Sequence, residues 1–148
     1  MQSLRRTPDH LLEIQRELAD REPIFHRPEY GTTRMDFEAM TAEDFWEVGA
    51  SGMRYDRSHV LDVLEERAAR PRDDEHWTTE DFYCQQIAEG NYLLTYTLRQ
   101  GARVTRRATL WRRQASACQP SVGQSSARQS SSWVIVYHQG TIVASPVA

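Results

Sequence analysis

The chain contains no lysine; all 18 of its basic residues are arginine. A compositional preference for arginine accounts for this without an arginine-specific function. Positive charge is not in excess either. The 21 acidic residues outnumber the basic ones, for a formal net charge of −3, which gives no general attraction to nucleic acid or an anionic membrane. Cysteine is scarce: Cys84 and Cys118 make no metal-type spacing. A disulfide between them stays open on sequence alone, although a domain of this length does not need one. No apolar run approaches membrane-spanning length, and Met1 to Arg6 has no apolar stretch of signal-peptide type. The expectations are no membrane association, no nucleic-acid partner and a cytoplasmic location. There is no Ser-His-Asp order, phosphate-binding glycine loop or cysteine-nucleophile signature, and no cofactor is expected.

What is present suits one folded domain over residues 1–148. A domain of this size buries about 70% of its extended-chain surface. Hydrophobic residues make up 39% and charged residues 26%, the balance of a soluble globular chain.

The most ordered stretch runs from Trp133 to Thr141, Trp-Val-Ile-Val-Tyr-His-Gln-Gly-Thr. With a period of two, Trp133, Ile135, Tyr137 and Gln139 point one way, and Val134, Val136 and His138 the other. Both sets are largely apolar, which predicts a central strand covered on both faces. Gly140 allows a bend or a close backbone approach. His138 and Gln139, near the strand's end, are placed to wall a pocket.

Before it, Thr7-Pro8-Asp9 predicts a helix start with Thr7 as cap. Leu11, Ile14 and Leu18 form its apolar stripe, and Pro23 stops it. The Pro-flanked loop from Glu22 to Gly31 tucks Ile24 and Phe25 toward the core and carries His26, either a hydrogen-bonded loop histidine or a ligand contact. Thr33 and Asp36 form a capping box for a short second helix, with one further helical turn predicted over Thr41 to Asp44. Phe45 to Gly49 and Met53 to Tyr55 read as a hairpin about Ala50-Ser51-Gly52. Asp56 caps a third helix whose buried stripe is Val60, Leu61, Leu64 and Ala68. Strands follow over Trp77 to Ala88, Tyr92 to Leu98 and Val104 to Arg113. Between the last of these and Trp133 lies a Ser/Gln-rich tract, residues 114–132, too polar to order itself by burial and read as a long hairpin loop. Helices first and antiparallel strands after give an α+β domain. It is cone-shaped, a strongly curved, mostly antiparallel sheet packed against three N-terminal helices, with a pocket at the open end.

Asp44-Phe45-Trp46-Glu47-Val48-Gly49-Ala50-Ser51-Gly52, then Tyr55, then Arg107 to Arg113, then Trp133 to Thr141 with His138-Gln139-Gly140-Thr141, together resemble a nuclear-transport-factor-two-like branch. It is a group of small bacterial proteins catalogued as a domain of unknown function. SnoaL-like polyketide cyclases and ketosteroid isomerases are more distant relatives. The resemblance implies the cone fold, a hydrophobic pocket between sheet and helices, and commonly a homodimer formed through the sheet. It implies no reaction, because function resides in the site rather than the fold. Ketosteroid isomerases carry a general-base Asp near the end of the first strand; here that region reads Glu47-Val48-Gly49. Their oxyanion-hole acid has no match around Arg107 to Thr109.

Glu47 and His138 are the candidate catalytic residues. A carboxylate and an imidazole in a dry pocket make an acid–base pair, and the bland alternative is a hydrogen bond between strands. His26 joined to both would make a His-His-carboxylate metal site, but no HxH or HExxH spacing calls for one. Trp46, Tyr55, Trp111 and Tyr137 are candidate ligand-contacting walls, though aromatics at strand spacing are more often core. Arg107 shares a strand face with Thr109 and Trp111 and is a candidate for meeting a ligand carboxylate. Which face that is depends on the Gln100-Gly101 turn, because a one-residue slip flips every side chain. The reading is a homodimeric domain binding an unidentified small, partly apolar molecule. The alternatives are a cyclase-, isomerase- or hydrolase-like enzyme using Glu47 and His138, and a non-catalytic dimerisation module.

Overall fold

A computed structural model of the chain describes residues 4–70, 76–114 and 132–144. All but the two end residues of the tract 114–132 lie outside that range, as does Cys118. Of three α-helices, α1 (Leu12–Ala19) and α2 (Arg34–Met40) precede the first hairpin and α3 (Arg57–Ala68) follows it. Six strands follow the chain as β1 (Thr41–Val48), β2 (Arg54–Asp56), β3 (Thr78–Ala88), β4 (Asn91–Gln100), β5 (Arg103–Gln114) and β6 (Ser132–Ile142). They form one curved, open sheet in the order β2-β1-β6-β5-β4-β3. All neighbours are antiparallel except β1 and β6, which run parallel.

Local chemistry sets the helix ends. Thr33 Oγ1 accepts from Asp36 N at 3.2 Å and Thr33 N donates to Asp36 Oδ2 at 3.1 Å, the reciprocal box expected. The Thr33 hydroxyl and backbone hold the Asp36 carboxyl below its ordinary range. Asp56 Oδ1 accepts from His59 N at 2.8 Å and starts α3.

The inner face of the sheet presents a transverse lattice. Tyr92, Leu94, Tyr96 and Leu98 of β4 stand opposite Trp111, Thr109, Arg107 and Thr105 of β5. Leu11, Leu18, Phe37, Met40, Val60, Leu61 and Leu64 cover that face from the helical side. Burial of each large apolar side chain contributes about 1.5–3 kcal/mol. Gly101, at φ +61°, makes the tight turn between β4 and β5, and the resulting register places Arg107 inside.

Three expectations are corrected. Thr7 does not cap a helix. The chain enters α1 through a 3-10 turn, Asp9–Leu11, whose capping Pro8 makes no side-chain bond. Thr7 Oγ1 instead accepts from Cys84 N at 3.0 Å and donates to Gln15 Oε1, so it covers the free edge of β3. Thr41 to Asp44 is not a helical turn but the start of β1. Thr41 Oγ1 donates to Phe37 O at 2.8 Å, closing α2, while the backbone already pairs Thr41 with Ile135. Ala68 lies exposed at the end of α3 rather than on its buried stripe. Among the described residues, no helix is long and apolar enough to cross a membrane.

Candidate functional site

The site begins with an irregularity in β6. Its pairing with β5 steps from Leu110↔Tyr137 to Trp111↔Ile135, leaving Val136 as an extra residue. One inserted residue reverses the alternation beyond it. Strict alternation puts His138 opposite in direction to Trp133 and Ile135; the bulge brings all three to the inner face. Tyr137 and Gln139 turn outward, where Tyr137 Oη donates to Gln139 Oε1 at 2.7 Å.

Inside, Glu47 and His138 are direct partners across β1 and β6. His138 Nδ1 lies 3.1 Å from Glu47 Oε2, and Arg107 Nε lies 3.0 Å from His138 Nε2. His138 is 4% exposed, whereas Glu47 and Arg107 are half-buried and reachable. Among the described residues, Nη1 and Nη2 of Arg107 make no hydrogen bond or ion pair. Opposite Arg107 stands the buried Gly140. Apart from its chain neighbours, a methyl group on Gly140 would meet no heavy atom within 4 Å. The open position thus lies on the strand beside the one that carries Arg107.

A second carboxylate, Glu22, is 1% exposed. Its Oε1 accepts from Tyr96 Oη at 3.0 Å and Ile24 N at 3.3 Å, and its Oε2 accepts from Trp111 Nε1 at 3.1 Å. Burial, then the negative charge of Glu22, pushes the Tyr96 phenol well above its ordinary value. Sequence reasoning missed Glu22. The available signal was its place directly before Pro23-Ile24-Phe25, a run expected to tuck inward.

The remaining candidates separate. Trp111 faces inward, 1% exposed, with its N–H committed to Glu22. Trp46 is 44% exposed and packs on Tyr137 at 4.5 Å on the outer face, so it does not share the interior with Glu47. Tyr55 is the exception: it stands directly opposite Glu47 across β1 and β2, packs against the core and stacks on His59 at 4.7 Å. His26 ends the 3-10 turn Ile24–His26, half-buried. Among the described residues, no three His, Cys, Asp or Glu side chains come together to hold a metal, so His26 is not brought to the Glu47–His138 pair as a third ligand. Arg106 points outward to Thr97 Oγ1, away from Arg107.

A cleft of about 670 Å³ reaches Arg107 and is lined also by Phe82, Tyr96, Asp81, Thr97 and Gln139 among others.

No protein-family model matches the chain, and no curated protein does. Solved structures match over nearly its whole length. An NTF2-like protein of unknown function in nutrient uptake from Rhodospirillum rubrum is 11% identical, with a TM-score of 0.58, covering 92% of this chain and 100% of that one. A cystatin-like fold protein from Burkholderia xenovorans is 12% identical, with a TM-score of 0.62 and coverages of 94% and 95%. A candidate ketosteroid isomerase from Parabacteroides distasonis is 15% identical, with a TM-score of 0.58 and coverages of 93% and 94%. Likeness at such identities shows the fold alone. That fold is a cone-shaped α+β architecture in which helices fill a curved sheet. It is the NTF2-like fold.

Proposed function

We propose that this chain binds a small, partly apolar molecule carrying a carboxylate, seated on the inner side of the sheet against Arg107. The observation that carries the reading is the state of that guanidinium. Its Nε is committed to His138, its two Nη groups have no partner among the described residues, and Arg107 lines a cleft of about 670 Å³. A planar fork with two free donors matches a carboxylate geometrically, and such charge-assisted bonds are stronger than neutral ones. A ligand anion would also supply the direct counter-charge that the half-buried cation lacks.

A thermal-shift comparison of small carboxylates with their matched amides tests this. A ligand taken up only by the folded chain raises its melting point. Carboxylates are expected to raise it and amides not, and Arg107→Gln is expected to abolish the difference. Equal shifts from acid and amide, or none from any acid, would defeat the reading.

Acid–base catalysis by Glu47 and His138 has their 3.1 Å contact in its favour. Arg107 weighs against it. With Nε2 engaged by arginine and Nδ1 by glutamate, the imidazole has no free nitrogen for a substrate proton.

We further infer a homodimer through the outer sheet face. Trp46 pairs across to Tyr137, Tyr137 to Leu110 and Leu110 to Leu93, a transverse apolar row that is exposed or only half-buried. Aromatic and aliphatic side chains gathered in this way mark contact surfaces.

A further inference from the structure

We propose that Glu47 is a positioning residue: by accepting the Nδ1 proton of His138 it holds the imidazole in the one tautomer that can receive Arg107, and so aligns the guanidinium for its ligand. The inference rests on the carboxylate-binding reading and adds to it a residue that does not touch the ligand.

Donors and acceptors on the three side chains decide the tautomer. An arginine Nε–H only donates. Placed 3.0 Å from His138 Nε2, it requires a lone pair there, so Nε2 carries no proton. A neutral imidazole then has its single proton on Nδ1, and that proton faces Glu47 Oε2 at 3.1 Å. The other tautomer reverses both contacts: it sets N–H against N–H at Arg107 and a lone pair against a carboxylate at Glu47. A doubly protonated ring keeps the glutamate bond but loses the arginine one. Only the Nδ1–H form satisfies both neighbours, and the arrangement is made of three strands, with Glu47 on β1, His138 on β6 and Arg107 on β5.

Alignment is the consequence. With Nε anchored, the guanidinium is held by one nitrogen, and Nη1 and Nη2 are left for a ligand in the cleft that Arg107 lines. Without the anchor, the long side chain regains rotamer freedom that a ligand must then suppress. Pairing rules in buried polar chains of this kind make each member's orientation depend on the next.

The test reads the ring and the guanidinium directly. In protein labelled with ¹⁵N at histidine and arginine, long-range ¹H–¹⁵N correlation near neutral pH should show His138 protonated on Nδ1 and bare at Nε2. The Arg107 Nε–H should be a distinct, slowly exchanging signal. In Glu47→Ala the His138 signals should move toward a mixture of tautomers, and the Arg107 signal toward that of free arginine. Glu47→Gln, whose amide oxygen can still accept from Nδ1, should restore both signals. Benzoate, with benzamide as control, serves as the binding probe. Its affinity should fall about tenfold in Glu47→Ala, the size of one hydrogen bond to a charged group, and recover in Glu47→Gln. A wild-type His138 protonated on Nε2, or unchanged His138 and Arg107 signals in Glu47→Ala, overturns the positioning role even if benzoate binds. Signals that respond as expected while neither benzoate nor any other carboxylate binds overturn the ligand reading instead.

Discussion

Arg107 Nε and His138 Nε2 stand 3.0 Å apart on the inner face of the sheet, a cation that can only donate set against an imidazole nitrogen. The pair exists because a bulge in β6 turns His138 inward and the Gly101 turn sets Arg107 on the same side. It links the half-buried cation to Glu47 through one ring. The arrangement makes the shape of the arginine, and not only its charge, the feature that matters.

Arg107→Lys tests that distinction. Lysine keeps the charge but presents a single ammonium in place of the planar fork. If its Nζ bonds His138, no parallel pair of donors remains for a ligand. Carboxylate binding measured by calorimetry is expected to weaken roughly tenfold or more, with the chain still folded by circular dichroism. Affinity retained in the lysine variant would mean that charge alone suffices.

Gly140→Val addresses where the ligand sits. Gly140 lies in β6 with open space at its Cβ position, and a β-branched residue suits a strand. Stability in urea is expected to change by no more than about 1 kcal/mol, while the added methyl groups occupy the space beside Arg107. Carboxylate binding should be lost. A variant that binds as well as the parent would move the ligand elsewhere.

Glu22 carries a stability prediction. Removing its side chain in Glu22→Ala strips a partner from two buried donors at once, the Tyr96 hydroxyl and the Trp111 indole N–H. Each unsatisfied group costs about 1–3 kcal/mol, so urea unfolding should show a loss of roughly 2–5 kcal/mol. Glu22→Gln should cost less, because its amide oxygen still serves one donor while its NH₂ meets the other. A loss below about 0.5 kcal/mol in the alanine variant would show that the carboxylate is not the hub of the cluster.

The sequence carried the elements and much of the topology. Capping pairs such as Thr33 with Asp36 are local, and they appear as read. The β-rich runs after Trp77 declared themselves by residue type. Facing was less legible. The alternation from Trp133 to Gln139 is regular in sequence, and nothing in the apolar run Val134-Ile135-Val136 reveals that one residue is skipped in pairing. That omission decides whether His138 looks in or out, and it is set by tertiary register with β5. Thr41 to Asp44 shows the opposite conflict. Thr41 and Asp44 repeat the spacing of Thr33 and Asp36 and favour a helical turn locally, but pairing Thr41 with Ile135 places the segment in the sheet. Glu22 was hidden because burial of a loop carboxylate depends on partners 74 and 89 residues away.

Leu93→Arg probes the outer face. Leu93 stands in the row between Gln85 and Leu110, half-buried and without a buried polar partner to lose. A charge there would be desolvated against a second copy but tolerated in a monomer. Light scattering is expected to give twice the chain mass for the parent and one chain mass for the variant, with melting still cooperative. A parent that runs as a monomer at micromolar concentration would remove the dimer from the proposal.

The thiol of Cys84 gives a prediction at alkaline pH. Burial pushes it from the ordinary value near 9 up to about 11, because the thiolate is disfavoured away from water. Above pH 9 the unfolded chain releases this proton while the folded one keeps it. The folded state's advantage from Cys84 is therefore complete below pH 9 and falls as pH rises toward 11. Tyr96 pushes in the same direction at higher pH. In a Cys118→Ser background, with Cys84 the remaining thiol, urea midpoints should decline from pH 9 to 11. The decline should flatten when Cys84→Ala is added. The same protein should react with a thiol reagent at pH 8 only as fast as it opens, since nucleophilic attack requires an accessible thiolate. Rapid labelling of the folded protein would place Cys84 at the surface, and with it the edge of β3 that Thr7 covers.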